Sequence, residues 1–203
     1  MRSQILCSGV FTMAAVQAAR RAGGYRSGAA VIVARTVTLL SVLMLGACAH
    51  HYTPAASRPF EAIDEFSSTK AVNLRNGQPS TAEVLFYDPV LNAHSYYANL
   101  AKWTDVAIEI AGREMKKRGM TIANGAPKSL TLSILSAHTT QGAVTIHTEI
   151  TMQAKTSDGY VATYVGRNSS GMVALIYRQV DGALMRVVHE MFLDPHIIAF
   201  FTK

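Results

Sequence analysis

Beyond residue 48 the chain contains no cysteine. Its two thiols, Cys7 and Cys48, leave the downstream part without a disulfide, a thiolate metal ligand or a cysteine nucleophile. Acidic residues are missing from the other side: all thirteen follow Cys48, whereas five of the nineteen basic residues (Arg2, Arg20, Arg21, Arg26 and Arg35) precede it. The downstream part therefore carries fourteen basic and thirteen acidic residues, a balance of +1, and the +6 of the whole chain reflects its N-terminal stretch. A segment so nearly neutral has no electrostatic case for nucleic acid. It also lacks an apolar run near the roughly 20 residues that a membrane-crossing helix needs. No phosphate-binding loop, dinucleotide fingerprint or internal repeat is present. His189-Glu190 opens as a zinc-protease helix would, but the next histidine, His196, lies beyond Pro195, so the required pair on one helical turn is absent. Neither a metal nor a cofactor is expected.

What the N-terminal stretch does have is a short apolar run that ends on a cysteine. The twelve residues from Thr36 to Ala47 carry no charge, and Arg35 stands just before them. That length is too short to span a bilayer core of roughly 30 Å. It fits the apolar region of a signal peptide, with positive charge ahead and small residues at the cut. Leu45-Gly46-Ala47-Cys48 resembles the lipobox of bacterial lipoprotein precursors. The resemblance implies cleavage between Ala47 and Cys48, removing residues 1–47. It also implies a diacylglycerol on the Cys48 thiol and a third chain, such as palmitate, on the freed amine. With about 0.8 kcal/mol for each buried methylene, two or three chains hold a protein on a membrane where one does not. Met13 is an alternative start that keeps four of the five arginines. Arg20-Arg21 invites a twin-arginine export reading, but Ala22-Gly23-Gly24 lacks the apolar residues that follow such a pair. Ala49 is not the aspartate that marks inner-membrane retention in enteric bacteria, so the resemblance implies an outer-membrane protein facing the periplasm.

Residues 48–68 read as a lipidated N-terminus and tether, with His50, His51, Pro54 and Pro59 and no clear period. Residues 69–203 read as a single domain. Short strands are expected from Lys70 to Leu74 and from Thr81 to Tyr87, the second stopped by Asp88-Pro89. Tyr97 to Arg118 is expected to be a helix, its apolar stripe built from Leu100, Trp103, Ala107, Ile110 and Ala111. Glu109–Arg113 and Glu114–Arg118 form pairs four residues apart, the lysines of the last turn complement the helix dipole, and Gly119 supplies the stop. Alternation then takes over. Leu130, Leu132 and Ile134 lead to a turn at Gln141-Gly142; Val144, Ile146, Ile150 and Met152 follow; Ser157-Asp158-Gly159 turns into a third strand from Tyr160 to Val165. Asn168-Ser169-Ser170 is expected to cap a helix from about Gly171 to Phe192, striped by Met172, Ile176, Val180, Leu184, Val187, Val188 and Met191. Gly182 is tolerated inside it at about 1 kcal/mol.

The fold expected is α+β: an antiparallel sheet of about four or five strands, including a three-stranded meander, with two long helices on one face. This element order, with Trp103 and Gly119 in and after the first helix, resembles small periplasmic lipoproteins of the YajG-like kind and the auxiliary lipoproteins of transport systems.

Candidate chemistry is sparse. His138 and His147 flank a hairpin on the wet face, two imidazoles with no third ligand in view. Ser169 lies at a strand-to-helix junction, but the spacing is not that of a nucleophile elbow. Tyr87, Tyr96, Tyr97 and Trp103 cluster near the first helix as core at the helix–sheet junction, with Tyr96 the best candidate for exposure. Phe200 and Phe201 in the tail are apolar enough to pack back on the body or, with Tyr96, to meet a partner. The expectation is a membrane-anchored, non-enzymatic envelope lipoprotein that binds a protein partner or lipid-like ligand. The alternatives are a tethered hydrolase built on His138, His147 or Ser169, and a structural spacer.

Overall fold

The computed structural model describes residues 48–56, 66–88, 94–171 and 176–203. In chain order the elements are β1 (Cys48–Tyr52), β2 (Ala71–Asn76), β3 (Glu83–Tyr87), β4 (His94–Asn99), α1 (Leu100–Lys117), β5 (Thr121–Ile122), β6 (Lys128–Gln141), β7 (Ile146–Thr156), β8 (Val161–Ser170), α2 (Ile176–Leu193) and α3 (Pro195–Thr202). The class is α+β. Residues 1–47, including the proposed cut at Ala47 and the alternative start at Met13, lie outside the described residues, as does Met172.

The meander forms the middle of the fold. β6, β7 and β8 pair antiparallel in register along nearly their whole length. The first turn closes with Gly142 N–H donating to the Thr145 carbonyl at 2.7 Å. The second closes with Thr156 N–H on the Tyr160 carbonyl at 3.0 Å, Gly159 taking a left-handed φ of 96°. Alternation sends Leu130, Leu132, Ile134, Ile146, Ile150, Met152 and Ala154 to one face, where all are fully buried. α1 covers that face over β2 and β6, and α2 covers it over β7 and β8.

The sheet is mixed, however, rather than antiparallel throughout. Its order is β5-β2-β6-β7-β8, and β2 runs parallel to both β5 and β6. A separate three-stranded sheet, β1-β4-β3, lies beside the second half of β6. Two expected boundaries shift as a result. Tyr97 belongs to β4, so the first helix starts three residues late, capped by Asn99, whose Oδ1 accepts from Lys102 N–H at 3.0 Å. Asn168-Ser169-Ser170 ends β8 instead of capping α2, because the β7 ladder runs on to Ser170. Asn168 instead donates its amide to the Arg178 and Gln179 carbonyls of α2 at 3.4 and 3.3 Å.

Helix stripes fall where the periodicity puts them. α1 buries Leu100, Trp103, Ala107, Ile110 and Ala111, and Gly119 ends it at φ 85°. Thr104, also buried, uses its hydroxyl to accept from Ile134 N–H at 3.1 Å, beside the irregularity between Ile134 and Ser136 where the β2 ladder has ended. An amide left without a strand partner is thus satisfied from the helix. Glu114 is buried between Arg118 and Lys117. Burial pushes its carboxyl up, but the hydrogen bonds from Arg118 and Lys117 outweigh this and hold it below the ordinary glutamate range. Arg113, expected to pair with Glu109, instead donates to the Ala56 carbonyl.

Candidate functional site

Two features lie at one end of the molecule. One is the strand that contains Cys48; the other is a concavity lined by the exposed face of the meander together with Thr148, Asn168 and, from α2, Arg186.

β1 was expected to be tether. It is a strand that includes Cys48, which pairs with His94, and the register continues to Tyr52 opposite Ala98. The alternating Tyr-Tyr-Ala of β4 supplies its ladder, and rings lock the register: His50 stacks on Tyr96 with centroids 4.9 Å apart, and His51 on Tyr97 at 5.7 Å. The far end of the strand is clamped to both helices. Trp103 Nε1–H donates to the Tyr52 carbonyl at 2.8 Å, and Tyr52 Oη–H to Asp181 at 2.7 Å. The same Asp181 oxygen accepts from Ala55 N–H at 2.9 Å. The Tyr52 ring lies 4.6 Å from Tyr177. Burial, reinforced by Asp181, pushes the Tyr52 phenol well above its ordinary value, so it stays a donor. No local signal in residues 48–56 announces this clamp, because its partner lies 129 residues away.

The concavity, of about 680 Å³, is lined by His138, Thr140, His147, Thr148, Glu149, Arg167, Asn168, Ser169 and Arg186. Register builds it. Thr140, His147 and Ser169 form one row across β6, β7 and β8, and His138, Glu149 and Arg167 form the next. All six side chains alternate outward, opposite the buried face. The three residues considered for hydrolysis, His138, His147 and Ser169, are therefore brought together. The His147 ring shares a hydrogen bond of 3.1 Å with Thr145 Oγ1, and Glu149 beside it is held by Arg167 Nε at 2.7 Å. A nucleophile needs its base in hydrogen-bond reach and the base needs an orienting group. Here the neighbouring carboxylate orients an arginine. Glu149 and Arg167 were missed in the sequence, although they stand two residues from His147 and Ser169, the spacing that returns to the same strand face. Among the described residues no three His, Cys, Asp or Glu side chains cluster to hold a metal ion.

The other surface candidates turn inward. Phe201 is fully buried and Phe200 is 8% exposed, so the tail packs back on the body. Tyr96 is half-buried among His50, Phe86, Tyr87 and Tyr177. The tail is pinned by Asp194, which caps α3 through His196 N–H at 2.8 Å and accepts from Tyr160 and Tyr164 at 2.8 and 2.6 Å. Among the described residues no helix is long and apolar enough to cross a membrane.

No family model matches the chain, and no curated protein matches it. Among solved structures it is similar to a Xanthomonas campestris protein of family DUF330, at 12% identity over 74% of this chain and 94% of that one, with a TM-score of 0.43. It is also similar to the hypothetical protein CT253 from Chlamydia trachomatis, at 12% identity over 65% and 95%, with a TM-score of 0.37. At this level the likeness bears on neither family nor activity.

Proposed function

We propose that this chain is a lipid-anchored, non-enzymatic envelope protein: acylated Cys48 holds it on the periplasmic face of the outer membrane, and its body binds a partner. One observation carries the reading. Cys48 and the four residues after it pair with His94–Ala98 of β4, so both strands of this ladder lie downstream of a cut between Ala47 and Cys48, and the fold uses the backbone from the lipobox cysteine itself. A binding role is favoured by β8, the terminal strand of its sheet, with no strand of the described residues beyond it. An edge strand of this kind is a ready template for an added strand. Labelling cells with a palmitate analogue should mark the wild-type protein and not Cys48→Ser. Equal labelling of the two, or none, removes the anchor. Crosslinking in intact cells should then recover a partner joined at β8, and recovery of monomer alone removes the binding role.

The hydrolase reading retains one supporting observation, the register that sets Ser169 opposite His147. A fluorophosphonate probe that labels the wild type and not Ser169→Ala would favour it over the binding reading.

A further inference from the structure

The clamp at Tyr52 leaves no slack between residue 48 and the body. A flexible tether of about 20 residues would place the body some 25 Å from its anchor, from 5–6 Å × √n. Here Cys48 is itself paired in the ladder with β4, and four residues later the chain is fastened to α1 and α2. A lipid on residue 48 therefore draws one end of the fold onto the headgroups.

Topology says which end. Cys48 pairs with His94 at the start of β4, and Tyr96 of the same strand pairs with Tyr87 at the end of β3. Tyr87 Oη–H donates to Gln141, where β6 turns into β7. The β6–β7 turn thus stands beside the anchor. From it β7 runs eleven residues to the opposite turn at Ser157–Gly159, a distance of roughly 33 Å at about 3.3 Å per residue. The near turn carries Val144, which at 71% is the most exposed large hydrophobic among the described residues. Among the described residues near this end, Glu149 is held by Arg167, and Asp88 accepts from the Ser95 hydroxyl at 3.1 Å. A strongly exposed valine on the end of the fold that carries the acyl chains suits the interfacial zone of a bilayer better than open water.

We infer that the body lies directly on the membrane with the β6–β7 turn down, Val144 entering the headgroup layer, and the Ser157–Gly159 turn pointing away. The occupant of this surface is the bilayer that holds the acyl chains, so the inference rests on the anchor reading above. It is tested with the native acylated protein in vesicles of phosphatidylethanolamine and phosphatidylglycerol that carry nitroxide-labelled lipid. Once Cys48 is thioether-linked the mature chain has no other thiol, so a cysteine introduced by Val144→Cys or Val161→Cys takes a fluorophore alone. Both sites are exposed. Quenching at position 144 should exceed that at 161 several-fold, and Thr145→Cys should behave as 144 does. Mass spectrometry of residue 48 in the same sample separates the outcomes. A free thiol there overturns the anchor and this inference together. Acyl chains present with equal quenching at 144 and 161 overturn the docking alone.

Discussion

Gly166 of β8 lies under α2 with no room for a methyl group. A Cβ there would overlap the Ala183 carbonyl and the Val187 nitrogen and stand 2.8 Å from Val187 Cβ. Because two of the three obstacles are helix backbone, the helix itself must move, and Gly166→Ala should cost about 1–3 kcal/mol or more in urea denaturation. Gly182 answers from the helix side: a Cβ would stand 2.8 Å from Asn168 Cγ. Its helix-propensity penalty is therefore the cost of letting Asn168 reach the Arg178 and Gln179 carbonyls. Glu114 sets a pH dependence. Its carboxyl titrates lower in the fold than in the unfolded chain, because Arg118 and Lys117 favour the anion more than burial disfavours it. The stability it lends is complete above the ordinary glutamate range and is lost as pH falls through the lower folded value. Melting temperatures between about pH 6 and pH 3 should fall less steeply for Glu114→Gln than for wild type. A residual slope in the same direction is expected from Asp194. Burial pushes that carboxyl up, and its bonds from Tyr164, Tyr160 and His196 N–H pull it down further.

At the scale of the element, β1 depends on partners far away in sequence. A five-residue strand that, among the described residues, pairs on one side only is marginal alone. Asp181 holds it by accepting from both Tyr52 and Ala55. Asp181→Ala should therefore raise amide exchange in β1 and at Ala55 while leaving β6 and β7 protected, which hydrogen exchange with mass spectrometry reads directly. Uniform deprotection would mean that the clamp supports the whole body rather than this strand. Within the stretch read as tether, residues 48–52 form a strand instead, for an identifiable reason, while residues 57–65 lie outside the described residues. His50, His51 and Tyr52 have no local period because their fit is to the rings of β4, Trp103 and Tyr177, which periodicity within the segment cannot register.

Across the whole molecule, one apolar layer is shared by the five-stranded sheet, both long helices and the tail. Phe201 stacks on Phe66 with centroids 6.4 Å apart and meets Phe192 at 6.3 Å, and its carbonyl accepts from the Ser68 hydroxyl at 2.6 Å. The C-terminus thereby fastens the strand-entry segment to the end of α2. Phe201→Ala should cost about 3–5 kcal/mol, a large part of the 5–15 kcal/mol typical of a whole domain. The loss should appear as one cooperative transition at lower denaturant, since no described part of the core is separate from this layer.

By itself the sequence determined the α+β class, the meander with both its turns, the apolar stripes of the two long helices, the stop at Gly119 and the neutrality of everything after Cys48. Each of these is written in neighbours a few residues apart, through periods of 2 and 3.6 and through the backbone freedom of glycine. Only the tertiary structure decided that β2 enters parallel, that β4 takes Tyr97 from the helix, that Phe200 and Phe201 turn inward, and that Cys48 is paired in a strand. Those outcomes depend on pairings between segments tens to more than a hundred residues apart. Their free energy comes from shared burial and register, and neither quantity exists until the distant partners have met.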